Sequence, residues 1–155
     1  KAEESAINQV TEVMATLNDR GLEVAKNLSA NAITDVTGFG LLGHLSEMMI
    51  AENLSADLNF KKIPIIEYAK KYFNEGIYSS GSQRNFDTVK DFISFENQEE
   101  ALLLSDAQTS GGLLIAVPEE TNFNSKKIEK LYGISIKEIG NITDRYNKKI
   151  NIISN

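Results

Sequence analysis

Cysteine is absent from all 155 residues. Disulfides, thiolate metal sites and thiol nucleophiles are therefore excluded from this chain. The absence fits a reducing compartment, and the expectation is a cytoplasmic protein. Tryptophan is also absent, and histidine occurs once, at His44. A Ser-His-Asp triad would have to use that His, which lies inside a glycine-rich helix start, and this argues against such a triad. With only two prolines and no Pro/Gly-rich linker, nothing divides the sequence into two units. No apolar run is long enough to span a bilayer and no signal peptide is visible, so no membrane partner is expected. Basic residues are few: 16 Lys and Arg stand against 22 Asp and Glu, for a net charge of -6. The pairs Lys61-Lys62, Lys70-Lys71, Lys126-Lys127 and Lys148-Lys149 are dispersed. Neutralising a phosphate backbone needs clustered Lys and Arg, so no nucleic-acid partner is expected.

What is present is the profile of a globular domain, with 41% hydrophobic and 25% charged residues. A chain of this length can bury a real core without covalent staples. It starts at Lys1 rather than at a Met and opens directly on a helical pattern. The expectation is a single domain, residues 1–155, cut from a longer protein.

Hydrophobic spacing orders the elements. Ile7, Val10, Met14, Leu17, Val24 and Leu28 form a helical stripe over residues 3–29, read as core contact. Asn18-Asp19-Arg20-Gly21 interrupts it, giving one helix with a weak point or two in succession. Residues 32–36 read as a buried strand, and Thr37 as the N-cap of the next helix. That helix has an apolar stripe of Leu41, Leu42, Leu45, Met48 and Met49, with Gly40, Gly43 and Glu47 on another face. Two glycines in a helix cost roughly 1 kcal/mol each relative to Ala, which suggests close packing or a need for open backbone.

Ala56, Leu58 and Phe60 alternate with polar residues and predict a half-buried strand. Residues 65–75 predict a helix stopped by Gly76. Residues 78–85 read as a polar loop, and 92–95 as a strand. Asn97 and Glu100 make a capping box for a helix reaching about Asp106. Residues 113–117 read as an inner strand closed by Pro118. A helix over 124–132 stops at Gly133, and Ile134, Ile136 and Ile139 mark another strand. A turn at 143–147 and a last strand at 150–153 complete the chain. The fold class expected is α+β, a sandwich-like arrangement of a mixed β-sheet packed with helices.

One carboxylate stands out. Asp35 follows a strand and precedes the turn Thr37-Gly38-Phe39-Gly40. A carboxylate beside open glycine backbone can share a Mg²⁺ ion with nucleotide phosphates. A turn or capping Asp is the competing reading, and local physics alone favours it. Gly38 and Gly40 ahead of a helix suit an anion, but the Lys of a Walker loop and the spacing of a dinucleotide fingerprint are missing. His44 reads as a hydrogen-bonded, half-buried side chain rather than a proton shuttle. Arg84 suits a phosphate, and equally a solvated loop. The turn Gln108-Thr109-Ser110-Gly111-Gly112 reads first as helix termination and strand entry.

Two long stretches carry a resemblance. Ala32-Ile33-Thr34-Asp35-Val36-Thr37-Gly38-Phe39-Gly40-Leu41-Leu42-Gly43-His44 closely resembles a hallmark of the selenophosphate synthetase (selenide, water dikinase) family. Leu104-Ser105-Asp106-Ala107-Gln108-Thr109-Ser110-Gly111-Gly112-Leu113-Leu114-Ile115-Ala116-Val117 is similar to a second. Gly81-Ser82-Gln83-Arg84-Asn85 resembles the family's Gly-Thr-x-x-Asn run, and Met14-Ala15-Thr16-Leu17-Asn18 its Met-x-x-Leu-Asn run. Their order and separations agree along essentially the whole chain.

The resemblance implies the second of the two α/β domains of the aminoimidazole ribonucleotide synthetase superfamily. It implies conversion of selenide, ATP and water to selenophosphate, AMP and phosphate. The family's catalytic Cys or selenocysteine, its companion Lys and most ATP and metal ligands lie in an N-terminal domain that this chain lacks. The partners implied are that domain, the substrates, and a second copy in a full-length homodimer. Onto this chain the resemblance carries Asp35 as a Mg²⁺ ligand at the phosphates. Thr37, Gly38 and Gly40 form the adjacent cofactor-binding surface, and no catalytic residue is carried over. Alone, the fragment is expected to be inactive.

The chain departs from the family at three places. Ile33 replaces a common Cys, Ser82 replaces the loop Thr, and Ser79-Ser80 stands where Pro-Gly is common. The competing readings are a superfamily member acting on an aminoimidazole ribonucleotide or thiamine phosphate, and a non-catalytic domain that buttresses a partner.

Overall fold

The computed structural model describes residues 1–144 and 149–154. Two helices lead, α1 (Glu4–Ala15) and α2 (Asp19–Asn27), followed by strand β1 (Ala32–Asp35) and helix α3 (Gly40–Ala51). Next come β2 (Ser55–Asn59), a 3-10 turn (Phe60–Lys62), α4 (Glu67–Asn74), α5 (Ser80–Val89) and β3 (Ile93–Phe95). The chain closes with α6 (Gln98–Leu104), β4 (Leu113–Ala116), α7 (Ser125–Tyr132), β5 (Gly140–Thr143) and β6 (Ile150–Ile153). The α+β class expected from the sequence is what forms.

Alternation builds the main sheet, whose order is β3-β6-β2-β5. β6 lies parallel to both β3 and β2, with Ile150 opposite Ile93 and Ala56, and Ile152 opposite Leu58. Because side chains alternate, these apolar residues share one face. All five are buried, and α3, α5 and α6 supply Leu42, Leu45, Met49, Phe86, Val89, Ala101 and Leu102 to the same core. On the other face Asn151 Nδ2 donates to Asp57 Oδ1 at 3.2 Å. β5 pairs antiparallel with β2 and closes the edge.

β1 and β4 form a separate antiparallel ribbon, Asp35 opposite Leu113 and Ala32 opposite Ala116. This corrects two expectations. Residues 32–36 are not a buried strand: β1 is mostly exposed, and Val36 is buried only after the strand has ended. Residues 113–117 are not an inner strand but half-buried. Apolar runs mark a strand without saying how many neighbours cover it.

Other expectations also change. The first helical segment is two helices, and the stripe is core only in part. Val24 is fully buried, but Ile7 is 51% and Leu17 77% exposed, and Ala6 is the one buried residue of α1. Polar contacts hold α1 instead: Tyr72 Oη accepts from Glu3 N–H at 2.9 Å, Tyr68 Oη donates to Ser5 Oγ at 2.7 Å, and Lys71 pairs with Glu3. Gly21 is buried in the stripe, where it packs against the Leu113 side chain: a Cβ there would lie 2.6 Å from Leu113 Cδ1.

Residues 78–85 are not a loop, since α5 starts at Ser80. Residues 134–139 form no strand, and the strand there begins at Gly140. Asn97 caps the helix, but its Oδ1 accepts from Glu99 N–H at 2.9 Å and not from Glu100 N–H as the expected capping box requires, and the helix ends at Leu104 rather than near Asp106. The turn expected at 143–147 falls mostly outside the described residues. Gly76 and Gly133 stop α4 and α7 with positive φ, as expected.

Candidate functional site

The end of β1 is where the sequence motifs meet. Past Asp35 the backbone does not enter the helix directly. Gly40 N–H donates to Thr37 O at 3.0 Å, closing a turn over Gly38 and Phe39. α3 therefore starts at Gly40, and its entry has no side-chain cap. The expected Thr37 cap does not form. The Thr37 hydroxyl lies 3.3 Å from His44 Nε2 instead.

Gly40 is required by two independent facts. Its φ is +69°, and a Cβ would sit 2.7 Å from the Ser105 carbonyl carbon. The close packing inferred from the helix glycines is thus an approach of the α3 start to the chain after α6. Val36 N–H donates to Gly112 O at 2.9 Å, Gly111 N–H to Val36 O at 2.9 Å, and Gln108 N–H to Thr37 O at 3.0 Å. The two stretches read as hallmarks in the sequence are therefore hydrogen-bonded to each other along the β1–β4 ribbon and through the glycine turn.

The third motif closes the cluster from α5. Asn85 Nδ2 donates to Gly38 O at 2.8 Å and to Ser105 O at 3.0 Å. Ser82 Oγ donates to Asp106 Oδ1 at 2.6 Å, with Ser79 Oγ at 3.3 Å from the same oxygen. Ser79 also caps α5, accepting from Ser82 N–H. Sequence reasoning quoted Asn85, Ser82 and Asp106 inside motifs but gave them no role. Their contacts join segments 20 to 47 residues apart, and no local pattern encodes them.

Asp35 itself is exposed, and its carboxylate has no hydrogen bond or ion pair among the described residues. Gly38 beside it is open, with nothing within 4 Å of where a Cβ would be. His44 is 8% exposed, more buried than expected, with Nδ1 3.4 Å from Glu47 Oε2 and its ring 5.6 Å from that of Phe39. A carboxylate at that distance favours the proton on Nδ1, which leaves Nε2 to accept from Thr37. His44 thus orients the turn from inside and does not face outward as a shuttle. Arg84 is exposed and contacts Ser80 on its own helix, Nη1 to Oγ 3.5 Å. On the outer side of α5, Lys90 and then Gln83 hold the Asp87 carboxyl below the usual carboxylate range, and Asp87 raises Lys90 in return.

Among the described residues no cluster of three or more His, Asp or Glu is arranged for a metal. Asp35 fits a partial role. Mg²⁺ commonly takes one or two protein carboxylates and completes its shell with phosphate oxygens and water. Asp35 ends β1, and Thr37, Gly38 and Gly40 lie in the turn that follows it.

This ribbon, mixed sheet and glycine turn belong to a defined class. Residues 2–153 match the family model for the AIR synthase related protein, C-terminal domain, and the chain belongs to that family. Among curated relatives it is 41% identical over 143 residues to the selenide, water dikinase of Sulfurovum sp. (strain NBC37-1), covering 92% of this chain and 42% of the relative. It is 39% identical over 153 residues to the protein of the same name from Sulfurimonas denitrificans, covering 99% and 45%. A third, from Photorhabdus laumondii, is 38% identical over 139 residues, covering 90% and 40%. The chain thus spans less than half the length of these relatives. Among the described residues no helix is long and apolar enough to cross a membrane.

Proposed function

We propose that this chain is the C-terminal domain, residues 1–155, of a two-domain cytoplasmic selenophosphate synthetase. The observation that supports this reading most is the joining of two motif stretches around Asp35 in a chain related to selenide, water dikinases. The parent converts selenide, ATP and water to selenophosphate, AMP and phosphate. The nucleophile and most of the nucleotide pocket belong to its N-terminal domain, and the C-terminal domain alone is inactive. The full-length enzyme is a homodimer.

Asp35 contributes one carboxylate to Mg²⁺ on the ATP phosphates, while Thr37, Gly38 and Gly40 present open backbone beside it. The ion would neutralise charge that develops during phosphoryl transfer. The Asp35 backbone is held by its pairing with Leu113 in the β1–β4 ribbon, and a charge carried on fixed backbone needs less reorganisation as the reaction's charge grows.

The test is Asp35→Ala in the full-length parent, following selenide-dependent AMP formation. The expected result is a loss of Mg²⁺-ATP turnover of 100-fold or more, on the order of a lost charge-stabilising group. Unchanged turnover would overturn the role of Asp35. AMP formation that ignores selenide and responds to aminoimidazole ribonucleotide or thiamine phosphate would overturn the substrate.

A further inference from the structure

We infer that Asn85 is the positioning residue of this site, acting on Asp35 through the glycine turn. The inference rests on the role proposed for Asp35 and extends it to a residue on a different helix.

The argument begins with what holds Gly38. Gly38 has no side chain to anchor it, and nothing lies within 4 Å of where a Cβ would be. Its orientation depends on backbone hydrogen bonds. Thr37 O is held by Gly40 N–H and Gln108 N–H. Gly38 O is held by Asn85 Nδ2 at 2.8 Å. The second hydrogen of the same amide goes to Ser105 O at 3.0 Å. One planar NH₂ group therefore spans two carbonyls from two different segments.

Few side chains can do this. The task needs two donors on one short, uncharged, planar group. Asp offers acceptors where donors are required, Ser has one donor, and Lys or Arg would bring charge and length into a half-buried gap. Asn85 is also well anchored. It lies between buried Ser82 and buried Phe86 on α5, and α5 packs on α3 and α6, the two helices that flank the carbonyls.

The consequence reaches the site through peptide geometry. In a trans peptide the C=O of Gly38 and the N–H of Phe39 point in opposite directions. Pinning Gly38 O toward Asn85 therefore aims the Phe39 N–H away from α5. Phe39 as a whole is 57% exposed. The same bond fixes the turn that begins two residues after Asp35. Asn85 thus holds the backbone that presents both the carboxylate and a neighbouring donor to a phosphate.

The test uses the full-length parent enzyme, with Asn85→Ala, Asp35→Ala and the double variant. The readouts are the Mg²⁺ concentration giving half-maximal rate, KM for ATP, kcat and the melting temperature. Asn85→Ala is expected to raise the half-saturating Mg²⁺ about 10-fold, the range found when partners of a metal ligand are removed. The double variant is expected to match Asp35→Ala within about 2-fold, because residues that act through one another are not additive. A merely structural role would lower the melting temperature and the active fraction without moving the Mg²⁺ requirement. Where Asn85→Ala fails to fold, Asn85→Ser keeps one donor and is read the same way. An unchanged Mg²⁺ requirement, or an Asn85 effect that multiplies independently onto Asp35→Ala, overturns the inference and leaves the role of Asp35 standing. A silent Asp35→Ala overturns both.

Discussion

The Ser82 hydroxyl donates to the Asp106 carboxylate at 2.6 Å, and Ser82 is completely buried. This bond ties the start of α5 to the loop that leaves α6. With Ser79 3.3 Å from the same oxygen, the carboxylate has two hydroxyls and no cation within ion-pair distance among the described residues. Removing the nearer donor leaves a half-buried charge poorly satisfied. Ser82→Ala is therefore expected to destabilise by about 1.5–3 kcal/mol, the range for hydrogen bonds to charged groups. Urea unfolding checks this, and a change below about 0.5 kcal/mol would show that water replaces the hydroxyl at no cost.

Gly38 and Gly40 are two residues apart, but the structure asks different things of them. Gly40→Ala must place a Cβ 2.7 Å from the Ser105 carbonyl carbon at a φ of +69°. The left-handed conformation alone costs roughly 1–2 kcal/mol, and a backbone clash that cannot rotate away adds to it. The expected loss is about 3 kcal/mol or more. Gly38→Ala meets open space and should change stability by less than about 0.5 kcal/mol. Any loss of Mg²⁺-ATP turnover in Gly38→Ala then reports on the phosphate surface rather than on folding. Thermal melts of both variants beside the wild type separate the two effects.

The elements with regular hydrophobic spacing were legible because spacing is local. Ala56 and Leu58, and Ile150 and Ile152, alternate, and the strands they predict form the sheet. α5 was hidden by composition. Ser79-Ser80-Gly81-Ser82 has turn chemistry, yet Ser79 serves as the cap and Ser82, Phe86 and Val89 bury one face. That i, i+4, i+7 spacing was present in the sequence and was outweighed by the polar start. The ribbon strands were read as buried because apolar content does not reveal how many layers cover a strand. The contiguous part of the candidate site, Asp35 to Gly40, could be seen in one run of residues. The contributions of Asn85, Ser82 and Asp106 could not, because three segments far apart in the chain meet only in the fold.

α5 also carries an exposed pair that titrates. Lys90 Nζ lies 2.9 Å from Asp87 Oδ1, and this bond, followed by the Gln83 amide, lowers the Asp87 carboxyl below its usual range. A carboxyl lowered in the folded state contributes stability above its unfolded pKa and loses it as pH falls through the folded one. The Asp87 share of this stability should therefore be lost on the acid side, below the ordinary carboxylate range, while the Lys90 share, raised by the same bond, is lost only as pH climbs through the lysine range. Lys90→Met is expected to move the Asp87 titration upward toward that range. Carbon-detected NMR of the carboxyl across acid pH checks the direction, and an unmoved titration would assign the lowering to Gln83 instead.

α1 makes the strongest contrast with the core. Ile7 and Leu17 are exposed at 51% and 77%, and the helix buries Ala6 alone. Its fixed points are polar: the Tyr72 hydroxyl, the Tyr68–Ser5 bond, the Glu3–Lys71 pair and Ser110 Oγ donating to Thr16 O at 3.3 Å. A helix of 12 residues is marginal without an apolar face to bury. Its amides should therefore exchange with deuterium first among the helices of this chain, well before those of α3. Ile7→Asn and Leu17→Ser should each shift unfolding by less than about 0.5 kcal/mol. Leu42→Ala, at a site with no solvent exposure, should cost about 2–5 kcal/mol. The same measurements in the full-length parent carry a second outcome. If the remainder of the parent packs on α1, Ile7→Asn becomes costly and the exchange slows there, while Leu42→Ala is unchanged between the two contexts. Equal exchange of α1 in both would show that the apolar stripe faces solvent in the whole enzyme.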